Sequence, residues 1–174
     1  MKKLVKFFLI ISFSLVAWTS HACDFLDVPI GTSMTKLNDR YEGLVELDEE
    51  ETDDTVYKYI YRAKDLCKDE ELRNSYLLVF VQNLKLIGMR IEVLHEDLDK
   101  KDVYEFTKSN IGTLDDRAEK KNWFGTIQLD SLGNRYILFS KRKTFDSKLF
   151  ETLLITESDY IELIYSPDVE EAMM

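Results

Sequence analysis

Few side chains in this 174-residue chain are equipped for chemistry: two cysteines and two histidines, set among 33 carboxylates. Cys23 and Cys67 stand 44 positions apart, unlike the Cys-x-x-Cys pair of redox catalysts. In an oxidising compartment an isolated pair of this kind is expected to form a disulfide. Closing so long a loop stabilises a fold by about 4 kcal/mol, through the entropy it removes from the unfolded chain. His95, in Leu94-His95-Glu96-Asp97, is the one histidine beyond the first 22 residues. A hydrolytic triad needs its histidine between an acid and a nucleophile; His95, where a strand ends, is instead expected to be a surface residue or a cap. One histidine and two mutually bonded cysteines also fall short of the three or four N/S ligands that zinc takes. The run Asp48-Glu49-Glu50-Glu51-Thr52-Asp53-Asp54 offers oxygen ligands, but without the spaced Asp-x-Asp-x-Asp-Gly order of a calcium loop. So many like charges cannot be buried together, and the run reads as an exposed turn. Neither a Gly-x-Gly-x-x-Gly nor a Gly-Lys-Ser/Thr phosphate cradle occurs. The reading is therefore of no catalytic residue, no metal and no cofactor. Its enzymatic alternative is a hydrolase with a pair of carboxylates that no motif marks.

What the sequence does offer is a surface. Tyr57, Tyr59 and Tyr61 alternate along one face of a strand beside the acidic run. Tyrosine gives contact area with a polar tip and is favoured where proteins meet. Tyr57, Tyr59 and Tyr61, rimmed by Glu49, Glu50, Glu51, Asp53 and Asp54, form the candidate partner-binding set. A sheet face half-buried under a helix is the competing explanation of the tyrosines.

The chain opens on Lys2, Lys3 and Lys6, followed by an apolar run from Phe7 to Trp18 and by Ser20-His21-Ala22 ahead of Cys23. A cationic start, about a dozen apolar residues and a small-x-small exit make an export signal of residues 1–22, cleaved before Cys23. The run is shorter than the roughly 20 residues of a spanning helix, so the mature protein is expected in the periplasm or outside the cell. Lipid anchoring at Cys23 is the minor alternative. Without the signal's three lysines, 20 basic residues face 33 acidic ones, a net charge of −13. Such a charge repels nucleic acid and anionic membranes and draws in a basic protein.

These residues need a scaffold. Met34, Leu37 and Tyr41 recur at helical spacing behind Thr32-Ser33, with a stop at Gly43. A strand is expected at 44–47, a second over 55–62, and a hairpin of Ser75–Val81 with Ile87–Val93 around a turn at 82–85. A second helix is expected from about Leu98 to Ile111, capped by Asp97 or Asp99 and ended by Gly112. Strands at Trp123–Leu129, Tyr136–Ser140, Leu149–Thr156 and Tyr160–Tyr165 close the chain, with a loose tail after them. The fold class is α+β, two short helices packed on antiparallel sheet, in a single domain over 23–166. Helix, four strands, helix, four strands also hints at a duplicated unit, with halves 24–95 and 96–166.

Pro29-Ile30-Gly31, the short capped helix, the hairpin Tyr76–Leu94 and the later strand Trp123–Leu129 resemble small exported bacterial α+β modules. Beta-lactamase-inhibitor-like domains and the outer-membrane assembly lipoproteins are of this kind. The Leu-Gly-x-Pro that ends the first helix of the assembly lipoproteins is replaced here by Tyr41-Glu42-Gly43, and no functional residue carries over. The resulting expectation is an exported, non-enzymatic protein that binds another, cationic protein, as an inhibitor or immunity protein does. An envelope assembly or structural factor is the alternative.

Overall fold

The computed structural model describes residues 23–47, 56–67, 70–112, 114–129 and 135–164. Residues 1–22, expected above to be an export signal, the acidic run, the expected 131–134 turn and the tail lie outside the described residues.

Seven strands form one sheet in which every neighbouring pair is antiparallel: β1 (Val45–Leu47), β2 (Tyr57–Arg62), β3 (Tyr76–Gln82), β4 (Lys85–His95), β5 (Gly125–Leu129), β6 (Arg135–Lys143) and β7 (Leu149–Glu157). Their order across the sheet is β1-β2-β3-β4-β7-β6-β5. Two meanders, β1–β4 and β5–β7, thus meet at the centre, where Ile91 pairs with Leu153. The helices are α1 (Met34–Arg40), α2 (Ala63–Leu66), α3 (Asp102–Asn110) and α4 (Ile161–Ile164). The fold class is α+β, as the sequence implies.

Side chains alternate along a strand, so each strand contributes to two layers. On one face Leu77, Val79, Met89, Ile91, Phe139 and Leu153 are buried under α1 and α3, which insert Leu37, Val103 and Phe106. The segment after Cys23 completes this layer with Phe25 and Val28, and Phe25 stacks on Phe106 with ring centroids 6.1 Å apart. Two restraints hold that segment. Cys23 is disulfide-bonded to Cys67, and the Arg135 guanidinium donates to the Leu26 and Val28 carbonyls, the latter at 2.9 Å. A Cys23 sulfur in this bond has no valence left for a lipid thioether, so the disulfide and lipid anchoring exclude each other.

The second face carries a smaller layer of Leu78, Phe80, Ile87, Leu138 and Leu154. The chain beyond β7 folds back over it, seating Tyr160, Ile161 and Ile164. Gly88 lies directly beneath. A Cβ there would press on Ile164 Cδ1 and come within 3.3 Å of the Ile155 carbonyl, so glycine lets the Ile164 side chain seat closely on the strand.

This return corrects one expectation. Residues 158–164 form a 3-10 turn and α4, not a strand. Tyr160, Ile161 and Ile164 are the inward positions, spaced as a helix spaces them, whereas alternation would have pointed Glu162 inward with Tyr160 and Ile164. A second correction concerns α3, which begins at Asp102 with Lys101 at its N-cap. Asp97 instead accepts the Asp99 N–H at 2.9 Å in a tight turn ahead of it. No helix among the described residues is long and apolar enough to cross a membrane.

Candidate functional site

Tyr57, Tyr59 and Tyr61 do share a face, and it is the face that carries the larger core: they pair with Val81, Val79 and Leu77. Tyr59 and Tyr61 pack half-buried against that core. Tyr57, at the start of β2, is 51% exposed. Glu49, Glu50, Glu51, Asp53 and Asp54 lie outside the described residues. Leu47 and Tyr57, which bracket the acidic run, both belong to the end of the sheet that holds the β3–β4 turn, since Leu47 pairs with Lys58 and Tyr57 with Val81.

That turn is the site the sequence reading passed over. Gln82 pairs with Lys85, leaving Asn83 and Leu84 as the two central residues, with φ of 51° and 60°. A two-residue hairpin whose central residues both have positive φ follows the strand twist, but its second position is normally glycine. Leucine in that region costs about 1–2 kcal/mol, and at 71% exposure Leu84 regains little of it by burial. The turn is also braced from outside. The Met34 N–H donates to the Leu84 carbonyl at 2.8 Å, and Thr32 and Gly31 bond Leu86 on both of its backbone groups at 2.8 Å. The braced, strained turn therefore holds an apolar side chain in solvent at the same end of the sheet as Tyr57 and the two residues that bracket the acidic run. Asn-Leu, where a hairpin favours Asn-Gly, is the sequence signal that marks it.

His95 is also corrected. It is buried at 7% exposure, because it continues the inward alternation of Met89, Ile91 and Val93. Its Nε2 lies 3.3 Å from Oε2 of Glu151, which is 0% exposed, and its Nδ1 lies 3.9 Å from Asp102. The same Glu151 oxygen accepts the Val103 N–H at 3.2 Å, near the N-terminus of α3, where the helix dipole favours a carboxylate. Lys141, 1% exposed, pairs across the sheet with Glu151 and donates to the Lys120 carbonyl at 3.1 Å. Burial pulls the Lys141 ammonium below the usual lysine range, partly offset by the Glu151 charge. The described contacts of the cluster tie α3 and the 114–121 loop to the sheet. No group of three or more His, Cys, Asp or Glu able to hold a metal occurs among the described residues.

On the second face, Arg90 and Glu92 are ion-paired at 3.1 Å. Burial raises the Glu92 carboxyl above the usual carboxylate range despite the attraction of Arg90 and Lys58. A group whose folded pKa is raised contributes stability below its unfolded pKa and loses it as pH rises through the folded value. Glu92→Gln is therefore expected to flatten the decline in stability above about pH 4.5, with wild type and variant converging in acid, as urea titrations across that range would read. A wild-type advantage that grows toward neutral pH would contradict the assigned cause.

Two open grooves flank the sheet. One, of about 600 Å³, runs along β5 past Ile111, Gly112, Asp115 and Arg117. The other, of about 400 Å³, lies among Gly43, Val45, Tyr61, Arg62 and Tyr76. Neither is lined by His95, Glu151 or Lys141. No protein-family model, curated protein or solved structure matches this chain.

Proposed function

We propose that this is an exported, non-catalytic binding protein that captures a cationic protein partner, in the manner of an inhibitor or immunity protein. Its contact is the end of the sheet bearing Leu84 and Tyr57, with the acidic run 48–54 as rim. The observation that supports this most is Leu84: strained, braced and exposed, it has the form of a preorganised anchor. Strain kept at such a place is typical of contact and switch sites. Residues 49–51, 53 and 54 supply charge that steers a basic partner and tunes the rate of encounter. The meeting of two helix-and-strand halves at β4 and β7 accords with a duplicated unit, and that ancestry belongs to the same proposal.

The test exploits an opposition between folding and binding. Leu84→Gly relieves the positive φ and is expected to raise stability by about 1 kcal/mol. As an anchor its loss should weaken partner capture tenfold or more, about 1.4 kcal/mol. Capture from envelope extracts, compared among wild type, Leu84→Gly and a variant with Glu49, Glu50, Glu51, Asp53 and Asp54 amidated, reads both effects. A more stable Leu84→Gly protein that still retrieves its partner fully would sink the proposal.

A further inference from the structure

β5 is the last strand of the sheet, with β6 as its one strand partner among the described residues. Backbone groups alternate in direction along a strand, so an edge strand turns every second N–H and C=O away from its neighbour. Proteins blunt such edges with charge, proline, bulges or brevity. The opposite edge is blunted: β1 has three residues, with Glu46 at its centre. β5 is not. Gly125-Thr126-Ile127-Gln128-Leu129 holds no charge and no proline, and its register with β6 runs through unbroken. The space beside it has the shape of a strand. The groove of about 600 Å³ follows Thr126 to Leu129, with Ile111, Gly112, Asp115 and Arg117 as its far wall. Five residues span about 17 Å, so this volume is a channel about 6 Å across, against about 4.8 Å between paired strands. Arg117 donates to Asp115 at 2.8 Å, which leaves the wall without net charge.

We propose that this channel takes an extended peptide segment, added to β5 as an eighth strand. The main chain of the segment supplies the affinity, and its alternate side chains supply the selectivity. Those on the α3 side of the sheet meet Ile111 and Ile127, both half-buried against the larger core, and are apolar. Those on the other side stand beside Thr126 and Gln128, which are exposed, and are polar. In a chain of net charge −10 the polar ones are basic, because long-range attraction then favours the encounter. A second copy fits less well on two counts. It shares the acidic net charge, and it would bring a whole sheet where the wall leaves the width of one strand. The site lies three strands from β4 and does not depend on what binds at Leu84.

The probe is the capped peptide acetyl-Lys-Val-Lys-Val-Lys-Val-Lys-amide, titrated into isotope-labelled protein with the Cys23–Cys67 disulfide intact. The expected result is that the amide signals of Gly125–Leu129 shift together, and that those facing outward exchange with solvent more slowly. Two methylated probes then identify strand pairing. N-methylation of the valines blocks one edge of the extended peptide, and N-methylation of the lysines blocks the other. One of the two should bind about tenfold more weakly than the other, the loss of two or three hydrogen bonds. Equal behaviour of the pair would overturn the proposal, since side-chain contact alone does not distinguish the two edges. A titration that leaves Gly125–Leu129 unmoved, or that centres on Val45–Leu47, would overturn it as well. So would β5 shifts that grow with protein concentration in the absence of peptide, which would make a second copy the occupant. The Leu84 site stands or falls separately, since partner capture from extracts reads it.

Discussion

Removing the disulfide, with both Cys23 and Cys67 changed to serine, is expected to cost about 2–4 kcal/mol. The upper figure is the loop-closure entropy of a 44-residue span. The lower one reflects restraints that survive: Arg135 still holds the Leu26 and Val28 carbonyls, and Phe25 still stacks on Phe106. For a domain of this size each kcal/mol moves the melting temperature by about 2–4 °C, so a fall on the order of 10 °C should be seen. Reducing the wild-type protein should reproduce the variant's urea midpoint. Replacing both cysteines matters, because a lone thiol left from a buried pair is free to cross-link two chains. Equal midpoints for the oxidised wild type and the double variant would show that the bond contributes nothing. Alkylation of protein taken from cells tests the compartment as well, because a disulfide formed on export leaves no thiol to react.

The hairpin of β3 and β4 was legible in the sequence because alternation is local: Ile87, Met89, Ile91 and Val93 announce an inward face without reference to anything distant. The same alternation, carried one step further, places His95 inward. What makes that tolerable is Glu151, 56 positions away and brought alongside by the β4–β7 pairing, and no local pattern reports such a partner. The tyrosines illustrate the complementary loss. Their common face follows from spacing alone, but which face α1 and α3 cover is a tertiary fact, and it packs Tyr59 and Tyr61, half-buried, against the core. At Leu84 the missing information was conformational. A turn was evident at 82–85, yet only the backbone angles reveal that leucine occupies a position suited to glycine. The return over Gly88 was misread because a single turn of helix is too short for its periodicity to stand out against a strand.

Glu151 carries the other large expected effect. Its carboxylate is fully buried and serves three neighbours at once: the His95 ring, the Val103 N–H and, by charge, Lys141. Glu151→Ala removes the acceptor at the start of α3 and leaves the Lys141 ammonium buried without its counter-charge. Breaking a buried pair from one side typically costs about 3–5 kcal/mol, much of it the penalty on the charge left behind. That mechanism makes a sharper claim than destabilisation alone. Lys141→Met placed in the same chain should recover a substantial part of the loss, because no unpaired charge then remains, whereas the orphaned Val103 N–H should keep recovery incomplete. The alternative origin is simple cavity formation, which Lys141→Met would leave unrelieved. Urea midpoints for the two single variants and the double variant separate them, provided the dependence on denaturant stays constant. Additive losses would mean that Glu151 supports α3 through packing, and that the buried lysine is held by the Lys120 carbonyl rather than by the charge opposite it.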